Sequence, residues 1–174
     1  MGKTLIVYES SGGSCRRYAG MLASAVGGVS VPARRASEAQ VRDADTVALV
    51  GWIMAGSLKG ADFLRKHARA LQSKKTAVIA VGLARKLDEA AWQKFEQRAF
   101  TEEMRAGWRV FYLRGAYRPE ERGFFTRAMM NLLVRQLEKK PDPSEEEREL
   151  ISAVRHGADY VRAEALAAAQ AYLA

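Results

Sequence analysis

Thr4-Leu5-Ile6-Val7-Tyr8-Glu9-Ser10-Ser11-Gly12-Gly13-Ser14-Cys15-Arg16-Arg17 is the stretch from which the fold of this chain can be read. Its first five residues, rich in β-branched and aromatic side chains, run without polar alternation, as in a strand covered on both faces. Hydroxyl residues and glycines follow. The chain then reopens in a helical pattern, with Tyr18, Met21, Leu22 and Ala25 recurring on one face. Strand, small-residue loop and helix in this order let several backbone N–H groups converge at a helix N-terminus, an arrangement that binds phosphate. A plain strand–helix turn with a capping serine has the same appearance, and the loop alone leaves both readings open.

The same alternation continues outward. Thr46–Val50 and Thr76–Val81 are further unbroken apolar runs, Trp108–Leu113 is a weaker one, and Val29-Ser30-Val31 fits a short edge strand. Helical spacing recurs between them in Phe63, Leu64, Ala68 and Leu71, and again in Trp92, Phe95, Ala99 and Phe100. Strands alternating with helices predict an α/β fold built on an open parallel sheet. The last third reads as two helices, Phe124–Lys139 and Ser144 to about Leu173, parted by Lys140-Pro141-Asp142-Pro143. Ser144 and Glu147 carry the capping-box pattern of a helix start. No internal repeat interrupts the chain, and residues 1–174 are expected to form one domain.

Composition narrows the function classes. One cysteine excludes a disulfide framework or a Cys-rich metal site and suits a reducing cytoplasm, where the protein is expected. His67 and His156 stand far apart with no carboxylate at ligand spacing, so no metal is expected. No apolar run approaches the roughly 18 residues of a membrane span, and no secretory signal is evident. The balance of 28 basic against 20 acidic residues, a net +8, argues for an anionic partner or surface. Nucleic acid is not expected, because no basic stripe is interleaved with aromatics. Residues 114–140 carry seven basic and three acidic residues around an unusually apolar helix with Phe124, Phe125, Met129, Met130, Leu132, Leu133 and Leu137. Such a helix either packs on the sheet with a broad core face or lies on an anionic membrane. Residues 141–150, with five acidic residues and one basic, read as a solvated helix start.

Ligands of open parallel sheets bind beyond the carboxyl ends of the strands, where strand order reverses. The loop after the first strand has no GxxxxGK[ST] and no GxGxxG, which excludes the common triphosphate and dinucleotide loops. A Cys-x5-Arg phosphatase loop would need arginine where Met21 stands, and a receiver-type phosphoacceptor would need an aspartate where Gly51-Trp52 ends the middle strand. No residue stands out as a catalytic acid or base.

Glu9 to Arg16 resembles, without gaps, the phosphate loop of flavodoxins. Gly51-Trp52-Ile53-Met54-Ala55-Gly56 is similar to that family's second flavin loop, and Val81-Gly82-Leu83-Ala84 to its third. The three fall at successive strand ends in the family's order. The resemblance implies a three-layer flavodoxin-like fold with five strands in the order 2-1-3-4-5, the flavodoxin order with FMN at the switch point being a standard illustration of the rule. It implies FMN as cofactor, with Ser10, Ser11, Gly12, Gly13, Ser14 and Cys15 at the phosphate. Trp52, Ile53, Met54, Ala55, Gly82, Leu83 and Ala84 would then line the ribityl chain and ring. Gly12 and Cys15 replace threonines of the family loop, with Arg16 and Arg17 near enough to compensate, and Ala55 replaces a stacking tryptophan. Trp52 is either a substitute wall or a core residue.

Phe63–Leu71, Arg114-Gly115-Ala116-Tyr117-Arg118 and Arg127–Leu133 look closest to the menaquinone-dependent protoporphyrinogen dehydrogenase branch. On that resemblance His67 lies on a helix surface. The implied function is an FMN-dependent oxidoreductase passing electrons from a reduced small-molecule substrate to a quinone or another acceptor, in the cytoplasm or peripheral to the membrane. Two other readings stay open: a flavodoxin-shaped binding module with weak or no FMN, and a one-electron carrier. Carrier flavodoxins are usually acidic, which a +8 chain is not.

Overall fold

The computed structural model describes residues 2–174. In chain order it contains β1 (Thr4–Tyr8), α1 (Ser14–Val26), β2 (Val29–Pro32), α2 (Glu38–Asp43), β3 (Thr46–Met54), β4 (Ser57–Leu58), α3 (Ala61–Leu71) and β5 (Lys75–Gly82). There follow α4 (Glu89–Ala99), α5 (Glu102–Gly107), β6 (Trp108–Arg114), β7 (Ala116–Tyr117), α6 (Phe124–Glu138), α7 (Glu145–His156), β8 (Ala158–Asp159) and α8 (Ala167–Leu173). The five long strands lie parallel in the order β2-β1-β3-β5-β6, which is the expected 2-1-3-4-5 arrangement. Val7 pairs with Val31 on one side and Leu49 on the other, and Leu49 in turn with Val78.

Period-two alternation sorts the strand residues into two layers. Leu5, Val7, Val47, Leu49, Val78 and Ala80 face Phe63, Leu64 and Leu71 of α3 and Phe95 of α4. Ile6, Ala48, Val50, Ala77, Ile79 and Val81 face Tyr18 and Leu22 of α1 and Ala169 and Leu173 of α8. Both faces are dry, which is why the strands read as unbroken apolar runs. A third cluster joins Tyr117, Val134 of α6 and Val154 of α7 beyond the carboxyl end of the sheet. Ser144 and Glu147 form the reciprocal capping box at the start of α7.

The structure departs from the sequence reading in four places. The Gly51–Gly56 segment is not a free loop: β3 runs on to Met54 and turns back through Ala55-Gly56 into antiparallel β4. Ala55 and Gly56 both have positive φ, 49° and 72°, as a two-residue hairpin turn requires. The final helix does not run from Ser144 to Leu173. Gly157, at φ 80° and ψ 157°, ends α7, and β8 pairs antiparallel with β7 before the chain returns to the sheet as α8. His67 is buried rather than on the helix surface, its ring 4.8 Å from that of Phe63. The acidic stretch at the start of α7 is not merely solvated: Glu145, Glu146 and Glu149 pair with Arg85, Lys86 and Arg114.

Candidate functional site

β2 and β3 flank β1 on opposite sides, so chain order reverses at β1–β3 and a crevice opens above their carboxyl ends. A cavity of about 280 Å³ occupies it. Twelve of the thirteen sequence-predicted residues line this cavity: Ser10, Ser11, Gly12, Ser14, Cys15, Trp52, Ile53, Met54, Ala55, Gly82, Leu83 and Ala84. Gly13 does not. It caps α1 in the left-handed conformation, φ 84°, and supplies no side-chain bond to the helix start. The first N–H groups of α1, which no helix can satisfy internally, therefore have no side chain over them.

The two ends of the cavity differ in chemistry. At the α1 end the Ser10 hydroxyl accepts from the Gly13 N–H at 3.1 Å and fixes the turn. Ser14, 7% exposed, accepts from the Ala116 N–H at 2.8 Å and so ties the loop to β7. Cys15 is almost fully buried, and burial followed by the nearby Glu9 charge pushes its thiol up to about 12. It is a packing residue and not a nucleophile at neutral pH. The other end is apolar, formed by Ile53, Met54, Leu83, Leu87 and residues of α6. Trp52, half-buried, lines both this cavity and a neighbouring groove, and so stands between wall and core.

Several lining residues lay outside the sequence reading. Tyr112 of β6 reaches across β5 and donates its hydroxyl to the Ala84 carbonyl at 2.8 Å. A Cβ on Gly82 would come within 2.5 Å of that hydroxyl oxygen, so the glycine is what lets the tyrosine brace the third loop. Burial raises the Tyr112 phenol to about 12. Thr126, Met129, Met130 and Leu133 of α6 roof the cavity. Arg122, between β7 and α6, is the one charged residue lining it among the described residues. Neither arginine next to the loop plays that part, since Arg17 pairs with Asp159 at 2.6 Å and Arg16 is exposed. The sequence carried one signal toward Arg122: a hydroxyl-rich loop that lacks a side chain at residue 12 leaves room for a donor from elsewhere.

Around the site, α7 is clamped to the sheet by ion pairs. Glu149 bonds Arg114 at 3.0 Å and Arg85 at 3.1 Å, and those guanidiniums, Arg114 first, hold its carboxyl below the usual range. Arg114 also lies 3.4 Å from the Tyr160 ring centroid. Outward from the cavity α6 exposes Phe124 (87%), Phe125 (75%) and Leu132 (59%), with Arg127 and Arg135 beside them.

An open sheet of this order with a phosphate-type loop at its switch point defines a flavodoxin-like α/β protein. A family model of the flavodoxin domain matches residues 5–144, and the chain belongs to that family. No curated protein matches the sequence. Among solved structures, the chain is similar to a WrbA-like flavodoxin from Agrobacterium tumefaciens at 14% identity and a TM-score of 0.50, covering 89% of this chain and 94% of that one. It is also similar to the Megasphaera elsdenii flavodoxin at 20% identity and a TM-score of 0.48, with 87% and 97% covered. A Lactobacillus acidophilus flavoprotein in complex with FMN matches at 13% identity and a TM-score of 0.41, with 66% and 93% covered. At such identities the likeness concerns the fold alone. Among the described residues no helix is long and apolar enough to cross a membrane.

Proposed function

We propose that the protein is an FMN-dependent oxidoreductase of the protoporphyrinogen dehydrogenase type, taking electrons from a reduced porphyrin precursor and delivering them to a quinone or a similar lipophilic acceptor. The observation that carries this reading is the two-ended cavity. One end has an uncapped helix N-terminus and a cation, suited to a phosphate, while the other is an apolar slot suited to a planar ring. FMN is a ligand with those two ends. Ser10, Ser11, Gly12, Ser14 and Arg122 would hold its phosphate. Ile53, Met54, Leu83 and Ala84, with Met129 and Leu133 above them, would hold the ring. FMN bound there supplies the redox chemistry.

The chain contributes binding, orientation and exclusion of water. Its lining holds no group that titrates near neutrality among the described residues: Cys15 and Tyr112 both lie near 12. The apolar outer face of α6, flanked by Arg127 and Arg135 and continuous with the roof, supports a bulky, lipophilic and acidic partner, with the acceptor drawn from an anionic membrane surface. The basic balance of the chain weighs against a carrier that docks on basic redox proteins.

Two measurements test the proposal. Titration of the purified protein with FMN, read by quenching of flavin fluorescence, should saturate at one equivalent. The loaded protein should then convert protoporphyrinogen to its fluorescent porphyrin with a menaquinone analogue as acceptor. Saturation without turnover would leave a carrier, and absence of FMN binding would leave a flavodoxin-shaped module.

A further inference from the structure

Gly12 has no side chain, and the space beside it is taken. A Cβ built there would lie 1.9 Å from Arg122 Nη1, 2.0 Å from Nη2 and 2.2 Å from Cζ. The guanidinium of Arg122, carried in from the segment before α6, thus fills the volume that any other residue 12 would need. Nη1 donates to the Ser11 hydroxyl at 3.3 Å and Nη2 to the Ala116 carbonyl at 3.1 Å, while Nε is buried without a partner. No carboxylate pairs with Arg122 among the described residues, and its Cζ lies 5.6 Å from the centroid of the Tyr117 ring.

The electrostatics of this arrangement are incomplete. A helix N-terminus carries partial positive charge, and here it meets a partly desolvated cation that no carboxylate pairs with; Glu9, whose charge is felt at Cys15, makes no ion pair with Arg122 among the described residues. Two positive groups converging on one loop repel each other, and the repulsion turns into attraction when an anion sits between them. Of the neighbouring arginines, Arg17 and Arg118 pair with Asp159 and Arg114 with Glu149, while Arg16 is exposed and does not line the cavity. Arg122 is left free of any carboxylate.

We infer that Arg122 is the residue that makes the cavity select a phosphorylated flavin over its uncharged parent: its guanidinium, admitted by the missing side chain of Gly12, binds the cofactor's terminal phosphate against the N-terminus of α1. The inference rests on the proposed FMN site and assigns the recognition of its charged end to one side chain from outside the loop. Bidentate planar donors suit phosphate, and a lysine at 122 would serve only as a point charge.

The experiment measures affinities of FMN and riboflavin for the wild type, Arg122→Ala and Arg122→Lys, by quenching of flavin fluorescence, with thermal melts of the flavin-free proteins alongside. The wild type should prefer FMN. Arg122→Ala should bind FMN about 10- to 100-fold more weakly and riboflavin within twofold of wild type, with Arg122→Lys in between. Gly12→Ala, which leaves Arg122 in the chain but takes its place, should reproduce the loss and serves if Arg122→Ala melts early. Equal weakening of both flavins, or unchanged FMN affinity in Arg122→Ala, would overturn the inference. If the wild type binds neither flavin, the proposed function fails, and inorganic phosphate decides the role of Arg122 separately. Phosphate that raises the melting temperature of the wild type and not of Arg122→Ala upholds the role, and an equal or absent shift in both ends it.

Discussion

Replacing Ser14 by alanine removes one hydroxyl and strands one backbone donor. The Ser14 oxygen is the acceptor for the Ala116 N–H at 2.8 Å, and Ala116 pairs with Asp159 of β8 on its other side. A buried donor left without an acceptor costs about 1–3 kcal/mol, more than the net worth of the bond, because the desolvation is no longer offset. Ser14 and Ala116 both line the cavity and the bond between them is part-buried, so a water standing in for the lost hydroxyl brings the loss toward the lower end of the range. With a urea dependence of about 2 kcal/mol per molar, the unfolding midpoint of Ser14→Ala should fall by roughly 0.5–1.5 M with the slope unchanged. Equilibrium unfolding followed by tryptophan fluorescence reads this directly. A midpoint within about 0.2 M of wild type would refute the argument, because it would mean that the β7 amide finds another acceptor and that the loop before α1 is not anchored through Ser14.

Gly51→Ala places a Cβ 2.2 Å from the Lys59 carbonyl oxygen, a backbone atom that cannot swing aside, and should cost about 1–3 kcal/mol in the same assay. Ala55→Asn should stabilise the flavin-free protein by about 0.5–1 kcal/mol, since asparagine tolerates the positive φ of a hairpin turn better than alanine, and a lower midpoint would contradict the turn assignment. Burial, then the nearby Lys66 charge, lowers the pKa of His67 against the opposing pull of Glu38. The unfolded chain therefore takes up this proton more readily, and stability should fall as pH drops through about 6.5, levelling off below the folded value. His67→Phe should flatten that slope between pH 7.5 and 5.5, and an unaltered slope would assign it to other groups. Phe124→Ser with Phe125→Ser should leave the melting temperature unchanged, as both rings are exposed, and should abolish co-sedimentation with anionic vesicles; retained co-sedimentation would remove α6 from membrane docking.

The central strands were legible because β1, β3 and β5 are dry over most of their length, so apolar runs and small-residue breaks mark them with little ambiguity, whereas the order of the sheet followed from the resemblance of the loops after them. The cavity floor was legible for the same reason, since Ser10–Cys15 and Gly82–Ala84 directly follow such runs. What escaped depends on contacts distant in sequence. The Gly51–Met54 extension is held by β4, and its residues alone look like a loop. The break at Gly157 is hidden by the alanine-rich helical pattern on either side, while the cause of the break is pairing of Ala158 and Asp159 with β7, some forty residues earlier. Arg122 is one of 28 basic residues, and only the bare Gly12 beneath it sets it apart. α6 was read as packing on the sheet with a broad core face or lying on a membrane; it instead packs on α7 and roofs the cavity, with Val134 as its buried residue, because periodicity gives a face and not what the face covers.

The return of the chain after β8 bears on what can be removed from this protein. Val161, Leu166, Ala169 and Leu173 complete the layer against Tyr18, Leu22 and Ile79, yet all four lie past residue 144, where the recognisable flavodoxin stretch stops. A truncation at that boundary would preserve every residue by which the family is known and still strip one side of the central sheet. The minimal unit able to fold is therefore longer than the minimal unit able to be recognised, and fragments for expression should be cut by the former.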